Sequence, residues 1–420
     1  MSFQRLNEAA LPWRAMKRRL ATLAAILAVA PLLAGQVARG APPRPAVPND
    51  SEPFWSWDTR HIAFEREAPG SGVRDVYTVP AARGGESWLG PTLVRGWRPG
   101  GGGLLVEYAG GTAVVALGGG PSGGVDGVDA TWSPDGGEIA YLRGGALYAA
   151  NAAGAHERLL ATGIRPPSWD VTGPAWSPDG ERIAIATTDG LRVVDADGSA
   201  SRIVFSGANQ SVNPAWSPDA ATIAFERNAG SHWSIWLVRG DGANPREAIG
   251  GAADNRYPQW GPAGRLAFIS DREHLPGGAT RYRYALYVAS PGGVPKKLVE
   301  DVRPDSPGRW STTGAQIAVA AGQECRRWGI YVVRSEGGAA RRRTNRCRFE
   351  GGPGGDLLRG TPYRDYLFGR AGDDRILAGA GNDTIYAGPG RDRVDCGAGD
   401  DTAYVGPGDT VRGCEHVHRS

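Results

Sequence analysis

Four cysteines, six histidines and two methionines in 420 residues leave little material for soft-metal or redox chemistry. The cysteines stand at Cys325, Cys347, Cys396 and Cys414, and no spacing forms a zinc knuckle or a C-x-x-C pair. Neither an H-E-x-x-H helix motif nor a phosphate-binding P-loop occurs. Net charge is also small: +3 is far from the basic footprint of a nucleic-acid binder, so no nucleic-acid partner is expected. Long hydrophobic runs are absent except for Leu20–Ala34, which follows Lys17-Arg18-Arg19 and is broken by Pro31. That run is shorter than the roughly 20 residues that cross a bilayer. With small residues near Ala34-Gly35 and Ala38-Arg39-Gly40-Ala41 behind it, residues 1–41 read as an export signal, with Met16 as an alternative start. Retention of the signal would instead leave a membrane anchor. Residues 42–50 form a proline-rich linker.

Glycine (64) and proline (31) are abundant, and short apolar runs alternate with turn residues, which points to an all-β chain. From Ser51 to Phe349 one unit recurs. Its opening is clearest as Trp132-Ser133-Pro134-Asp135-Gly136 and Trp176-Ser177-Pro178-Asp179-Gly180. It recurs in Trp216-Ser217-Pro218-Asp219, is worn at Trp260-Gly261-Pro262 and Trp310-Ser311, and is weakest at Trp55 and Trp97. The tryptophans are about 35–50 residues apart, the length of a propeller blade. Ser-Pro-Asp-Gly suits a type I turn. Strands follow, such as Ile139-Ala140-Tyr141 and Ile235-Trp236-Leu237-Val238. A tryptophan ahead of each turn is large enough to wedge between blades, and one blade alone cannot bury both faces.

The W-S-P-D-G, I-A-F, I-Y-V and D-G series resembles the TolB-type β-propeller repeat over residues 51–349. TolB-type propellers have six blades. Seven openings are present here, so a six- to seven-bladed ring is expected. The N-terminal α/β domain of TolB is missing. A G-x-S-x-G elbow with the large α/β-hydrolase domain of the propeller-bearing prolyl oligopeptidases is not found. Asp195-Ala196-Asp197-Gly198 starts like an EF-hand loop but lacks the later ligands, and reads as a hairpin turn. Arg341-Arg342-Arg343 reads as a solvated hinge.

Near the C-terminus, Asp356, Asp365, Asp374, Asp383, Asp392 and Asp401 recur every nine residues, most behind a glycine-rich turn. Two residues after each stands an apolar side chain: Leu358, Leu367, Ile376, Ile385, Val394 and Ala403. The unit G-G-x-G-x-D-x-(apolar)-x resembles the haemolysin-type (RTX) nonapeptide, over residues 350–420. The resemblance implies a short parallel β-roll in which residues 18 apart stack. Calcium would lie between turns and take carboxylates from the aspartates and carbonyls from turn glycines such as Gly372, Gly381, Gly390 and Gly399. The best pairs are Asp374 with Asp392 and Asp383 with Asp401. Asp365 is a poorer candidate, because Gly360–Arg364 has lost most turn glycines. Arg391 stands in a turn and would weaken one site. After Tyr404 the phase slips, Asp409 standing one residue early, and the array is expected to end there. His416 and His418 read as a frayed terminus.

An even cysteine count in an exported chain suggests two disulfides, Cys325–Cys347 and Cys396–Cys414. Cys396 and Cys414 are 18 apart. Stacked coils about 4.8 Å apart fall within the Cα range that a disulfide accepts. Together these features describe an extracellular or envelope protein that binds calcium. Its propeller is expected to serve as a non-enzymatic binding or scaffolding module for a protein or carbohydrate ligand. A propeller lyase or hydrolase acting on cell-wall or polysaccharide material is the alternative. Acids, His or Arg converging on one mouth of the channel would favour that enzyme reading.

Overall fold

The first strand of every propeller unit ends on a tryptophan. These strands are Asn49–Trp55, Leu93–Trp97, Val128–Trp132, Ala175–Trp176, Ser211–Trp216, Asn255–Trp260 and Arg309–Trp310. The computed structural model describes residues 49–67, 74–82, 86–90, 92–108, 111–116, 121–164, 173–207, 211–228, 230, 232–273, 284–322, 328–344, 347–360 and 364–419. The predicted signal, most of the linker and Cys325 lie outside them, as does the side chain of Cys347. Among the described residues every regular element is a strand, and no helix is long and apolar enough to cross a membrane.

Seven antiparallel four-stranded units follow in chain order. The last two are joined into one sheet by a single bridge, Val302 to Ala321. The two weak openings, at Trp55 and Trp97, each begin a complete four-stranded unit. The strand edge, not the W-S-P-D-G spelling, defines a blade, so a worn opening costs nothing in pairing.

Packing between blades follows from the tryptophans. Each indole N–H reaches back to the main-chain carbonyl just ahead of the preceding blade's tryptophan. Trp97 donates to Phe54 (2.9 Å), Trp132 to Gly96 (3.3 Å), Trp216 to Ala175, Trp260 to Ala215 (both 3.1 Å) and Trp310 to Gln259 (3.0 Å). Trp55 closes the ring by donating to Arg309 (3.1 Å). The indole of Trp176 breaks the pattern: its N–H is buried without an acceptor among the described residues. The turn after each tryptophan is tied by its own side chains. Ser133 Oγ donates to Asp135, while Gly137 N–H donates to Asp135 Oδ1 and Glu138 N–H to Ser133 Oγ, both at 2.9 Å. The residue after the aspartate is left-handed, as at Gly136 (φ 69°) and Gly180 (φ 75°). Ala220 takes the same conformation (φ 56°) without glycine's freedom.

The ring is sealed by a cluster of Trp55, Ile62, Phe64 and Val79 from the first blade with Ala318, Ala320, Ile330 and Val332 from the last. Arg341–Arg343 is not a hinge. Arg341 and Arg342 form the outer strand of the last blade, and Arg343 Nη1 donates to the Ala82 carbonyl of the first (2.7 Å).

The tail is a parallel β-roll of two sheets. One contains Cys347–Glu350, Asp365–Phe368, Thr384–Tyr386, Thr402–Val405 and His416–Arg419. The other contains Leu357–Arg359, Arg375–Leu377, Arg393–Asp395 and Thr410–Arg412. The inward residues Leu358, Leu367, Ile376, Ile385, Val394 and Ala403 form its core. Alternation in the strands sends the flanking residues outward. Asp365, Asp374, Asp383, Asp392 and Asp401 are buried where the turns enter the strands, and Asp356 is half-buried.

Candidate metal centre

Register in the roll is 18 residues for most pairs, as in Thr384 against Thr402 and Ile376 against Val394. The aspartates therefore stack. In one column Asp356 N–H donates to Asp374 Oδ1, Asp374 N–H to Asp392 Oδ1 and Asp392 N–H to Asp409 Oδ1, each at 2.8 Å. In the other, Asp365 N–H donates to Asp383 Oδ1 and Asp383 N–H to Asp401 Oδ1 (both 2.7 Å), and Asp401 N–H donates to Glu415 Oε2 (2.8 Å).

The predicted end of the array is thus corrected. The slip shortens a coil to 17 residues, setting Thr410 against Arg393, and Asp409 takes the next position in the column. The final coil shortens to 14 residues, with His416 against Thr402. The C-terminus is not frayed: His418 stacks on Tyr404 with ring centroids 4.8 Å apart. Strand pairing needs register only within the strands, so turns can lose residues without breaking the ladder. Cys396 and Cys414 are disulfide-bonded, with Cα atoms 5.2 Å apart, just beyond the paired strands Arg393–Asp395 and Thr410–Arg412. The Cys325–Cys347 pairing falls outside the described residues.

Asp365, Asp374, Asp383, Asp392 and Asp401 are all at most 2% exposed. Oδ1 of Asp374, Asp383, Asp392 and Asp401 accepts a main-chain N–H, but Oδ2 of each is buried with no partner among the described residues. Buried carboxylate oxygens without partners are costly. Burial accordingly pushes the carboxyls of Asp374, Asp392 and Asp401 upward, and neighbouring acids add to it. Asp383 is pushed up to about 7 by the same burial.

The glycine turns complete the setting. A side chain at Gly399 (φ 152°) would place Cβ 1.7 Å from the Gly381 carbonyl oxygen. At Gly390 (φ 153°) the Gly372 oxygen would lie 2.1 Å away. The turns are therefore stacked so closely that carbonyls line them. Among the described residues no three His, Cys, Asp or Glu side chains converge on one point, so a cation here would draw on main-chain oxygens as well. Hard carboxylate and carbonyl oxygens are the donor set of calcium. The residues fit that ion.

Residues 350–385 and 371–403 match the family model of the RTX calcium-binding nonapeptide repeat. The tail is an RTX repeat array. No curated protein matches the chain. Among solved structures, puromycin hydrolase is similar at 15% identity and a TM-score of 0.53, over 77% of this chain and 63% of that one. The similarity at this level is one of fold, and the chain spans less than two thirds of that enzyme. A putative TolB from Agrobacterium tumefaciens is 22% identical, over 64% of this chain and 95% of that one, with a TM-score of 0.42. The seven four-stranded units, with the fold similarity at a TM-score of 0.53, make the part ahead of the RTX array a β-propeller.

The propeller holds a second candidate site. A cavity of about 770 Å³ is lined by the first strands of all seven blades. Many of its wall residues lie one or three positions before a tryptophan, among them Glu52, Phe54, Asp129, Tyr257, Gln259 and Arg309. Sequence reading missed them, although Glu52-Pro53-Phe54-Trp55, Asn213-Pro214-Ala215-Trp216 and Tyr257-Pro258-Gln259-Trp260 share an x-Pro-x-Trp signature. Glu52, Asp129, Asn213 and Tyr257 are all left-handed (φ 46–56°) at strand irregularities, which turns the chain locally.

Acids and arginines do converge here, and most are engaged in ion pairs within a blade and in hydrogen bonds to the main chain of the next. Glu65 accepts from Val94 N–H and from Arg74, both at 3.0 Å. Glu107 accepts from Asp129 N–H (2.7 Å) and pairs with Arg95 (2.8 Å). Glu52 is different. Its nearest charge partner is Arg309 at 3.8 Å. Burial raises its carboxyl to about 7, with Arg309 opposing.

The literal string Gly120-Pro121-Ser122-Gly123-Gly124 does spell G-x-S-x-G, contrary to the sequence expectation. Ser122 lies in the outer antiparallel strand Pro121–Val125 and its hydroxyl donates to the Val114 carbonyl (3.3 Å), so it forms no strand-to-helix elbow. Asp195–Gly198 is the expected turn, closed by Gly198 N–H to the Asp195 carbonyl (2.8 Å).

Proposed function

We propose that the chain is an exported calcium-binding protein of the cell envelope or exterior, whose propeller is a non-enzymatic binding or scaffolding module. The carrying observation is the set of four buried aspartates, Asp374, Asp383, Asp392 and Asp401, each with one carboxylate oxygen lacking a partner. Calcium bound there supplies positive charge and empty coordination positions. The aspartates accept main-chain N–H groups with one oxygen and offer the other inward. The Cys396–Cys414 link ties successive coils together. Calcium outside the cell would then complete the roll after export. The protein or carbohydrate ligand would enter the propeller cavity.

Equilibrium calcium binding to the full chain, followed by calorimetry, tests this reading. Saturable binding that disappears in the Asp383→Asn/Asp392→Asn variant is expected. Calcium binding unchanged by those substitutions, or none at all, would remove it.

One observation favours the propeller lyase or hydrolase reading. Glu52 is a strained residue in a cavity, with a carboxyl raised to about 7 and one distant partner, as suits a general acid. Turnover of a polysaccharide substrate that Glu52→Gln abolishes, with propeller stability retained, would replace the binding role.

A further inference from the structure

The two outer faces of the roll differ in chemistry. One carries a stacked aromatic column, Phe368, Tyr386, Tyr404 and His418, with centroid separations of 4.9, 4.7 and 4.8 Å. The other carries Arg359, Arg375, Arg393 and Arg412 against a single acid, Asp395. Arg412 is paired with Asp395 at 2.5 Å. Arg375 and Arg393 face one another in parallel register on adjacent strands, both exposed, and neither makes an ion pair among the described residues. They border a groove of about 390 Å³, together with Leu377, Thr410 and Arg412.

Like charges directly opposite on adjacent strands are destabilising. The neighbouring acids do not relieve this pair through contact: Asp374 and Asp392 are buried, Asp373 accepts Arg391 N–H (2.9 Å), and Asp395, which also lines the groove, is paired with Arg412. An anion held between them would. Strands in a sheet lie about 4.8 Å apart, so two guanidinium groups on adjacent strands can both reach one tetrahedral oxyanion. The column is bounded by Leu357 on one side and Thr410 on the other. Two arginines in register suit a single anionic group better than a long polyanion, which would need charge on every rung.

We propose that Arg375 and Arg393 form an anion site on the outer face of the roll that takes one phosphate-type group. The group would be either a free oxyanion or the headgroup of an anionic phospholipid. Each arginine directly follows a column aspartate, Asp374 or Asp392, but is exposed where the carboxylate is buried, and the site does not depend on the propeller's ligand.

The test uses the full calcium-loaded chain, with inorganic sulfate as the probe because it stays soluble beside calcium. Unfolding of the roll is followed while sulfate is titrated against sodium chloride of equal ionic strength. A saturable stabilisation specific to sulfate is expected. Arg375→Gln or Arg393→Gln should weaken it at least about tenfold, since a charge-assisted contact is lost. Arg359→Gln, on the same face but out of the pair, should leave it within about twofold. Absence of saturation, or equal weakening by Arg359→Gln, would overturn the site in favour of diffuse charge. In sulfate-free buffer Arg393→Gln should be as stable as the parent or more so; a loss of stability there would mean that the arginine packs rather than binds, and would also overturn the proposal. Flotation with vesicles of phosphatidylcholine, with and without phosphatidylglycerol, separates the two sources. Capture only by phosphatidylglycerol, lost in the double variant, assigns the headgroup; sulfate binding without capture assigns the free oxyanion.

Discussion

Replacing Asp383 by asparagine should have opposite effects with and without calcium. The substitution keeps the oxygen that accepts Asp365 N–H (2.7 Å) and removes the charge on the buried, unpartnered one. Burial lifts this carboxyl from 3.8 to about 7. At about 1.4 kcal/mol per pH unit, keeping it ionised above pH 7 costs up to about 4 kcal/mol. That is an upper bound, because water entering a metal-free turn screens the charge. In chelator at pH 8, Asp383→Asn should therefore be the more stable protein. With calcium a hundredfold above its dissociation constant, each site adds about 2.7 kcal/mol to the parent, and the variant should forgo that gain at the Asp383 position. Near-ultraviolet circular dichroism of the Tyr386–Tyr404 stack, whose rings are 4.7 Å apart, reports the roll within the full chain. Thermal melts would be compared in chelator and in calcium. A variant less stable than the parent in chelator, or equally stabilised by calcium, would refute the argument that the orphaned carboxylates are the calcium ligands.

The same carboxyl sets a pH dependence. Its folded value lies above its unfolded one, so without calcium its contribution to roll stability is fully present below about pH 4 and is lost as pH rises through about 7. Calcium competes with that proton, so the calcium-induced rise in melting temperature should grow as pH increases through about 7; melts across this range in chelator and calcium check both slopes. In the propeller, Trp216→Phe should cost about 1 kcal/mol more than Trp176→Phe in chemical denaturation, because Trp216 donates to Ala175 and the Trp176 N–H has no acceptor to lose. Ala220→Gly should stabilise by about 1 kcal/mol, as it relieves a left-handed alanine in a turn where Gly136 and Gly180 occupy the same place; a destabilised variant in the same assay would contradict it.

The architecture was legible where chemistry repeats. Trp-Ser-Pro-Asp-Gly specifies a turn through its own side chains, so it can be read without knowing the neighbours. The blade count was less legible, since the units at Trp55 and Trp97 are defined by hydrogen-bonded edges rather than by turn spelling. The cavity wall was missed for a different reason. Glu52, Asp129 and Tyr257 become neighbours only when seven strands close a ring, and their shared mark is a position relative to tryptophan rather than a residue type. In the tail, the nine-residue period located the column of aspartates but hid its continuation. Asp409 and Glu415 enter the same columns through coils of 17 and 14 residues, a tolerance that belongs to turns and not to sequence spacing.

The ends of the aspartate columns explain why calcium would matter in the middle. Asp356 Oδ2 accepts Gly352 N–H (2.6 Å). Asp409 uses both oxygens, accepting Asp392 N–H (2.8 Å) and Gly406 N–H (2.7 Å). Asp409 is thus satisfied by the chain itself, and Asp356, which is only half-buried, leaves no buried oxygen without a partner. Asp374, Asp383, Asp392 and Asp401 have no second donor, because the turn N–H groups near them are directed between coils, as Gly381 N–H is to the Ala398 carbonyl and Gly372 N–H to that of Pro389. A protein could have satisfied them with one more donor each. Instead four carboxylate oxygens remain buried within two stacked columns, beside carbonyl-lined turns too tight for a side chain. Each neutral alternative, whether a proton or an asparagine amide, removes the charge; a divalent cation offsets two such oxygens at once and uses the carbonyls as well. Calcium dependence should therefore reside in the pairs Asp374–Asp392 and Asp383–Asp401, and substitutions at Asp356 or Asp409 should change stability without changing the amount of calcium bound.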